Sequence, residues 1–274
     1  MALIGAVVFQ TVAALGLLAM EVASGTDIRE AAERLPEKLA TPSMFILMAA
    51  CGQLAMGLGA IVPAWLSPVP LRARLGLLSA GPSWSVYPLT MLGSLVPLAI
   101  GLGFAAALAQ VMPGDPSVQI LLDNITLAEA VPFVLFIAIV PGVVEELLFR
   151  GYIQRRLLER WSPGWAIGVT SVLFALMHVM PHAIVAVLPL GIWLGVVAWR
   201  TGSVLPSIFC HAFVNGSLNA WRMAVKFGDI PEPTQWIVVV ATLLAGLACF
   251  VLSLRFLAGH GNRSFESLGI DAAT

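Results

Sequence analysis

The chain has 274 residues, 59% of them hydrophobic and 11% charged, with a mean hydropathy of +0.94 and a formal net charge of −1. A soluble domain is about 45–50% apolar and about 25% charged, so a single water-soluble core is excluded, as is disorder, which needs low hydrophobicity. No basic excess exists to displace counterions, so nucleic acid is not a partner; what remains is an all-α, polytopic membrane helix bundle, one integral membrane domain over 1–274 with the lipid bilayer as partner.

Eight apolar segments follow in chain order. Ala2 to Met20 is read as a retained span, because it has no basic n-region and no clear cleavage site. Thr26 to Thr41 is charged, with a thin apolar stripe of Ala31, Ala32 and Leu35, and predicts a short surface helix. Span two is Met44 to Leu66, followed by a Pro-rich connection from Ser67 to Pro82. Span three, Trp84 to Val111, contains Pro88 and Pro97 and predicts tilt or a kink. Met112 to Ile125, with Pro113, Gly114, Asp115 and Asp123, reads as a loop. Span four begins near Leu127. Spans five and six lie at Trp165 to Met180 and Ala183 to Trp199, joined by a tight turn at Pro181. Spans seven and eight are Val204 to Trp221 and Trp236 to Leu257, the last after the breaker Pro231-Glu232-Pro233.

Basic residues set the orientation. Arg72 and Arg74 lie in the second loop, Arg155, Arg156 and Arg160 in the fourth, Arg200 in the sixth and Arg263 in the tail, whereas the third loop has none. The first loop and the seventh, with Arg222 and Lys226, run against the trend. The expected placement is the plasma (inner) membrane with both termini cytoplasmic. Cys51, Cys210 and Cys249 lie in different apolar stretches without a C-x-x-C, and read as apolar fillers. Gly164 with Gly168 and Gly191 with Gly195 read as small-residue packing faces. Trp84, Trp165, Trp199, Trp221 and Trp236 fit an interfacial belt. His182, in an external turn, and His260, in the tail, read as solvated.

Ionisable residues inside the apolar stretches are few and gathered in three of them, within a core at 127–221. Span four ends in Glu145-Glu146-Leu147-Leu148-Phe149-Arg150, span five in Phe174-Ala175-Leu176-Met177-His178, and span seven holds His211, Asn215 and Asn219. A charge at mid-bilayer costs about 2.5–3.5 kcal/mol, which implies a compensating polar pocket. With about 1.5 Å per residue, Glu145, His178, His211 and Asn215 fall in one layer about 12–21 Å below the cytoplasmic surface. That requires one continuous helix from Glu145 to Arg155, with Gly151 inside it. Glu146 and Arg150 are spaced i,i+4 and pair as ions, leaving Glu145 about 100° away to face a cavity. Phe174 and His178 share the same spacing, so ring can pack beside imidazole.

These residues resemble the CAAX-processing and bacteriocin-processing (CPBP, or Abi) family of intramembrane endopeptidases, marked by E-E-x-x-x-R, F-x-x-x-H and H-x-x-x-N in that order. The resemblance rests on residues Glu145 to Asn215, about a quarter of the chain. It implies an eight-helix core with a cavity open to the cytosol. It also implies peptide-bond hydrolysis of a lipidated or transmembrane peptide substrate, prenylated CAAX tails among them. By carry-over Glu145 activates water, His178 helps position it, and His211 and Asn215 stabilise the oxyanion, with Glu146, Arg150 and Phe174 in support.

Amide hydrolysis needs a base for water and donors aimed at the developing oxyanion, and these side chains supply both. No G-x-S-x-G and no H-E-x-x-H is present. The expected mechanism uses no cofactor; the alternative is zinc held by Glu145, His178 and His211, a His₂Glu set in composition. Two other functions fit less well. A proton- or ion-coupled transporter lacks the expected inverted repeat, and a catalytically silent immunity protein on the same fold has no need of four intact site residues.

Overall fold

The computed structural model describes residues 2–39, 41–77, 84–114 and 116–259. Among them the chain is helical, with no strand. Helices α1 (Ala2–Ala23), α2 (Ile28–Leu39) and α3 (Pro42–Trp65) are followed by a single turn, α4 (Leu71–Arg74). Then come α5 (Val86–Gly93), α6 (Leu95–Leu108), α7 (Ser117–Asn124) and α8 (Leu127–Glu146). A π-helical segment, Leu147–Gln154, joins α8 to α9 (Arg155–Leu158), and α10 (Pro163–Leu176), α11 (Pro181–Thr201), α12 (Leu205–Phe227) and α13 (Glu232–Gly259) complete the chain. Each of the eight expected apolar segments is helical. Five helices among the described residues are long and apolar enough to cross a membrane: Pro42–Trp65, Val86–Leu108, Leu127–Leu158, Pro181–Thr201 and Glu232–Gly259. Pro163–Leu176 is apolar but shorter, and α12 has the length, 23 residues, but carries the polar stripe. The polytopic helical bundle is therefore observed.

Prolines explain the local breaks. Pro97 has no N–H, so the carbonyl of Gly93 loses its helical donor and the third span divides at Ser94 into α5 and α6. Trp193 of α11 donates from Nε1 to Ser94 Oγ at 2.9 Å, docking at this break. α8 starts on a capping box, in which Thr126 and Glu129 satisfy each other's backbone and side-chain groups. The condition on the fourth span is met: α8, the π segment and α9 run continuously through Gly151.

Four expectations need correction. Residues 112–125 are not simply a loop, because α7 forms within them. Leu121 and Ile125 are buried in a cluster with Ala130, Phe133 and Met223, and this tertiary burial stabilises a helix too short to stand alone. Lys226 donates to the carbonyls of Leu122, Asp123 and Ile125 at 2.6–2.9 Å, placing a cation at the C-terminal end of that helix. Second, α10 ends at Leu176, so His178 sits in the turn beyond it, where Val179 adopts φ of +60°. Third, Gly164 and Gly168 are not a packing face: no neighbour would lie within 4 Å of a Cβ at either. Residue spacing places both on one face of α10, and among the described residues nothing packs closely on either glycine. Fourth, Pro231-Glu232-Pro233 does not hold the last helix off until Trp236; α13 begins at Glu232, with Pro233 in its first turn, where a missing N–H is harmless.

Other expectations hold. α2 is the surface helix of the first connection, with Ala31 buried, and Lys38 pairs with Glu21 at its end. The three cysteines are free thiols. Trp84, Trp165 and Trp236 are exposed near helix ends, whereas Trp199 and Trp221 are half-buried and Trp221 lies inside α12. His182, in the first turn of α11, is half-buried rather than fully solvated and bonds the carbonyl of Met112. Asp115, residues 78–82 of the Pro-rich connection, His260 and Arg263 lie outside the described residues.

Candidate active site

α8 and α12 share the most extensive interface of the bundle. Glycine makes it possible. A Cβ on Gly142 would lie 3.0–3.1 Å from the backbone and Cβ of Ala212, and one on Gly216 would lie 3.2 Å from Ala138 Cβ. Two backbones can thus approach closely where Gly142 sits one turn before Glu146 and Ala212 follows His211. This crossing brings both glutamates to one imidazole. His211, almost fully buried, has Nδ1 3.0 Å from Glu146 Oε1 and Nε2 4.0 Å from Glu145 Oε2. A carboxylate accepts, so Nδ1 donates to Glu146 and Nε2 is left on the Glu145 side.

Glu146 and Arg150 form the expected ion pair at 2.7 Å, both with fully buried side chains. Arg150 also donates from Nη2 to the carbonyl of Gly191 at 2.8 Å, and its guanidinium lies 4.4 Å from the ring centre of Phe174. One turn on, Gln154 repeats the arrangement, donating from Nε2 to the carbonyl of Gly195 at 2.9 Å. The Gly191 and Gly195 pair is therefore a packing face, and its bare backbone receives two side chains of the π segment. The widened π turn has its own close contact: a Cβ on Gly151 would lie 2.8 Å from the carbonyl oxygen of Leu75. Such π segments occur frequently at functional sites.

Phe174 joins the two imidazoles. Its ring meets those of His178 and His211 edge-on, with centres 5.2 and 5.7 Å away, and also meets Phe149. His178 Nδ1 lies 3.1 Å from the carbonyl of Phe174. A carbonyl can only accept, so Nδ1 donates and satisfies an orphan carbonyl at the end of α10, leaving Nε2 as the ring nitrogen not used in that bond. Asn215 donates from Nδ2 to the carbonyl of Ile137 at 3.2 Å, and its own carbonyl accepts from Asn219. The structure thus gathers Glu145, Glu146, Arg150, Phe174, His178 and His211. Asn215, one turn along α12, bonds the α8 backbone rather than Glu145 or His211.

A residue absent from the sequence reading also enters the site. Gln53 of α3, buried, donates from Nε2 to Glu145 Oε1 at 2.7 Å. The signal was available: Gln53 is the one long polar side chain in Pro42–Trp65. Gln154 was missed for the same reason, being uncharged. Among the described residues no three His, Cys, Asp or Glu side chains are gathered closely enough to hold a metal ion. The Glu145, His178 and His211 set therefore does not fit a zinc ion as placed.

The fold and the buried charges define an integral membrane protein of helical-bundle type. Residues 127–217, which include every member of the three motifs, match the family of type II CAAX prenyl endopeptidase Rce1-like proteins. The match bears out the resemblance to CAAX-processing proteases and supports a protease activity in the membrane. No curated protein and no solved structure matches the chain.

Proposed function

We propose that this chain is an intramembrane endopeptidase that hydrolyses a peptide bond of a membrane-associated, prenylated CAAX-type substrate. Glu145 is the base and His211 with Asn215 the oxyanion site. The carrying observation is the 4.0 Å between Glu145 Oε2 and His211 Nε2, too long for a hydrogen bond and short enough for one water to touch both. Glu145 Oε2 takes a proton from that water as its oxygen attacks the scissile carbonyl carbon. The carbonyl oxygen becomes an oxyanion. Glu145 then returns the proton to the amide nitrogen as the C–N bond breaks.

Stabilising the oxyanion requires a hydrogen on His211 Nε2. The imidazolium form donates from both nitrogens, Nδ1 to Glu146 and Nε2 toward the oxyanion, with two carboxylates beside it. Glu146, itself neutralised by Arg150, orients the ring. His178, packed beside Phe174 with Nδ1 engaged, holds water or substrate through Nε2. Asn215 has a second amide hydrogen beyond the one given to Ile137. On this reading no metal takes part, and the protein works in the plasma (inner) membrane with both termini cytoplasmic.

Purified protein in liposomes, given a farnesylated CAAX peptide, tests this. Wild type releases the terminal tripeptide, and Glu145→Ala and His211→Ala each abolish release while remaining folded. Undiminished cleavage by both variants would sink the assignment. Zinc restoring activity to chelated protein would sink the metal-free step.

A further inference from the structure

α3 lies outside all three motifs, yet it reaches the reacting carboxylate. The geometry points to Gln53 as a positioning residue for Glu145, an inference that rests on the proteolytic reading above. A carboxylate of Glu145's kind can place its two oxygens in many ways about its last torsion, which is broad and two-fold. Gln53 removes that freedom. Its amide donates to Oε1 at 2.7 Å, and Oε2 is the oxygen left facing His211 Nε2. Base and acceptor are thus distinguished within one side chain, and the lone pair needed for water is held in one direction.

Two further observations favour a role in the reaction over a role in packing. A polar side chain in an otherwise apolar helix is expensive in lipid and marks function by default. A glutamine placed only to join helices would use both ends of its amide, yet Gln53 Oε1 is buried without a hydrogen-bond partner among the described residues. That oxygen is an acceptor beside Glu145, available to a polar hydrogen of water or substrate.

The experiment has two arms. In liposomes with the farnesylated CAAX peptide, Gln53→Leu lowers kcat about 10- to 100-fold with KM within about twofold, the signature of a misplaced base. Gln53→Glu, which keeps length and can donate only when protonated, recovers part of the rate at low pH. The second arm needs no activity: thermal unfolding of wild type, Gln53→Leu, Glu145→Leu and the double variant. Gln53→Leu lowers the unfolding temperature of wild type and leaves that of Glu145→Leu unchanged or raised, because the second has no carboxylate to abandon. An unchanged kcat, or equal unfolding shifts in both backgrounds, overturns the positioning role. If wild type does not cleave the peptide, the proteolytic reading fails, and the unfolding cycle still decides whether Gln53 and Glu145 are coupled.

Discussion

Asn215 donates its side-chain amide to the carbonyl of Ile137, the carbonyl that Pro141 deprives of its helical donor four residues on. A proline in α8 and an asparagine in α12 are thereby one device. The proline frees an acceptor, and the asparagine fills it and is held against α8 by doing so. Pro141→Ala restores the missing N–H and releases Asn215. Because proline is about 3 kcal/mol worse than alanine inside a helix, the variant unfolds at the wild-type temperature or above. Its kcat nevertheless falls by about tenfold, and Asn215→Ala falls further, by about 10²–10³. Steady-state kinetics beside thermal unfolding checks both.

Glu146 and Arg150 separate stability from activity. Either single replacement, Glu146→Leu or Arg150→Met, leaves an unpaired charge at a fully buried position and lowers stability by about 3–5 kcal/mol. The double replacement removes both charges and recovers much of that loss. It does not recover cleavage, since His211 Nδ1 then has no acceptor. Denaturation in detergent and a cleavage assay on all three variants distinguish the outcomes.

Gly142 sets the distance between α8 and α12. Gly142→Val forces atoms against the Ala212 backbone, already 3.0 Å from the position of a Cβ. The helices move apart, stability falls by about 1–3 kcal/mol, and cleavage falls more than stability explains. Gly164→Ala, on the open side of α10, changes neither. Unfolding temperatures and kcat for the pair are the measurement.

Lys226 holds α7 by three carbonyls and lies on α12 well beyond the site. Lys226→Met costs about 1 kcal/mol and speeds hydrogen exchange over Ser117–Asn124. The cleavage rate stays at the wild-type value.

Much of the site was legible because charge in lipid is conspicuous. Glu145, Glu146, Arg150 and His211 stand out from apolar surroundings, and helical spacing sufficed to pair Glu146 with Arg150. The amides Gln53 and Gln154 carry no charge and are equally buried, so the same argument passes over them unless it is extended to every long polar side chain. The turn at His178 was hidden because Phe174–His178 is an i,i+4 pair both within a helix and across its last turn. α7 was hidden because its stability comes from Leu121 and Ile125 meeting Met223, a contact made across 100 residues. Gly164 and Gly168 misled because spacing tells which residues share a face and not which face meets a neighbour.

The brevity of α10 bears on the lipid as well as on the protein. Fourteen residues rise about 21 Å against a hydrocarbon layer of about 30 Å. A bilayer meeting a short apolar helix thins around it. Thinning beside the turn that carries His178 would bring the headgroup boundary toward that imidazole, shortening the path by which solvent arrives from outside the helix ring.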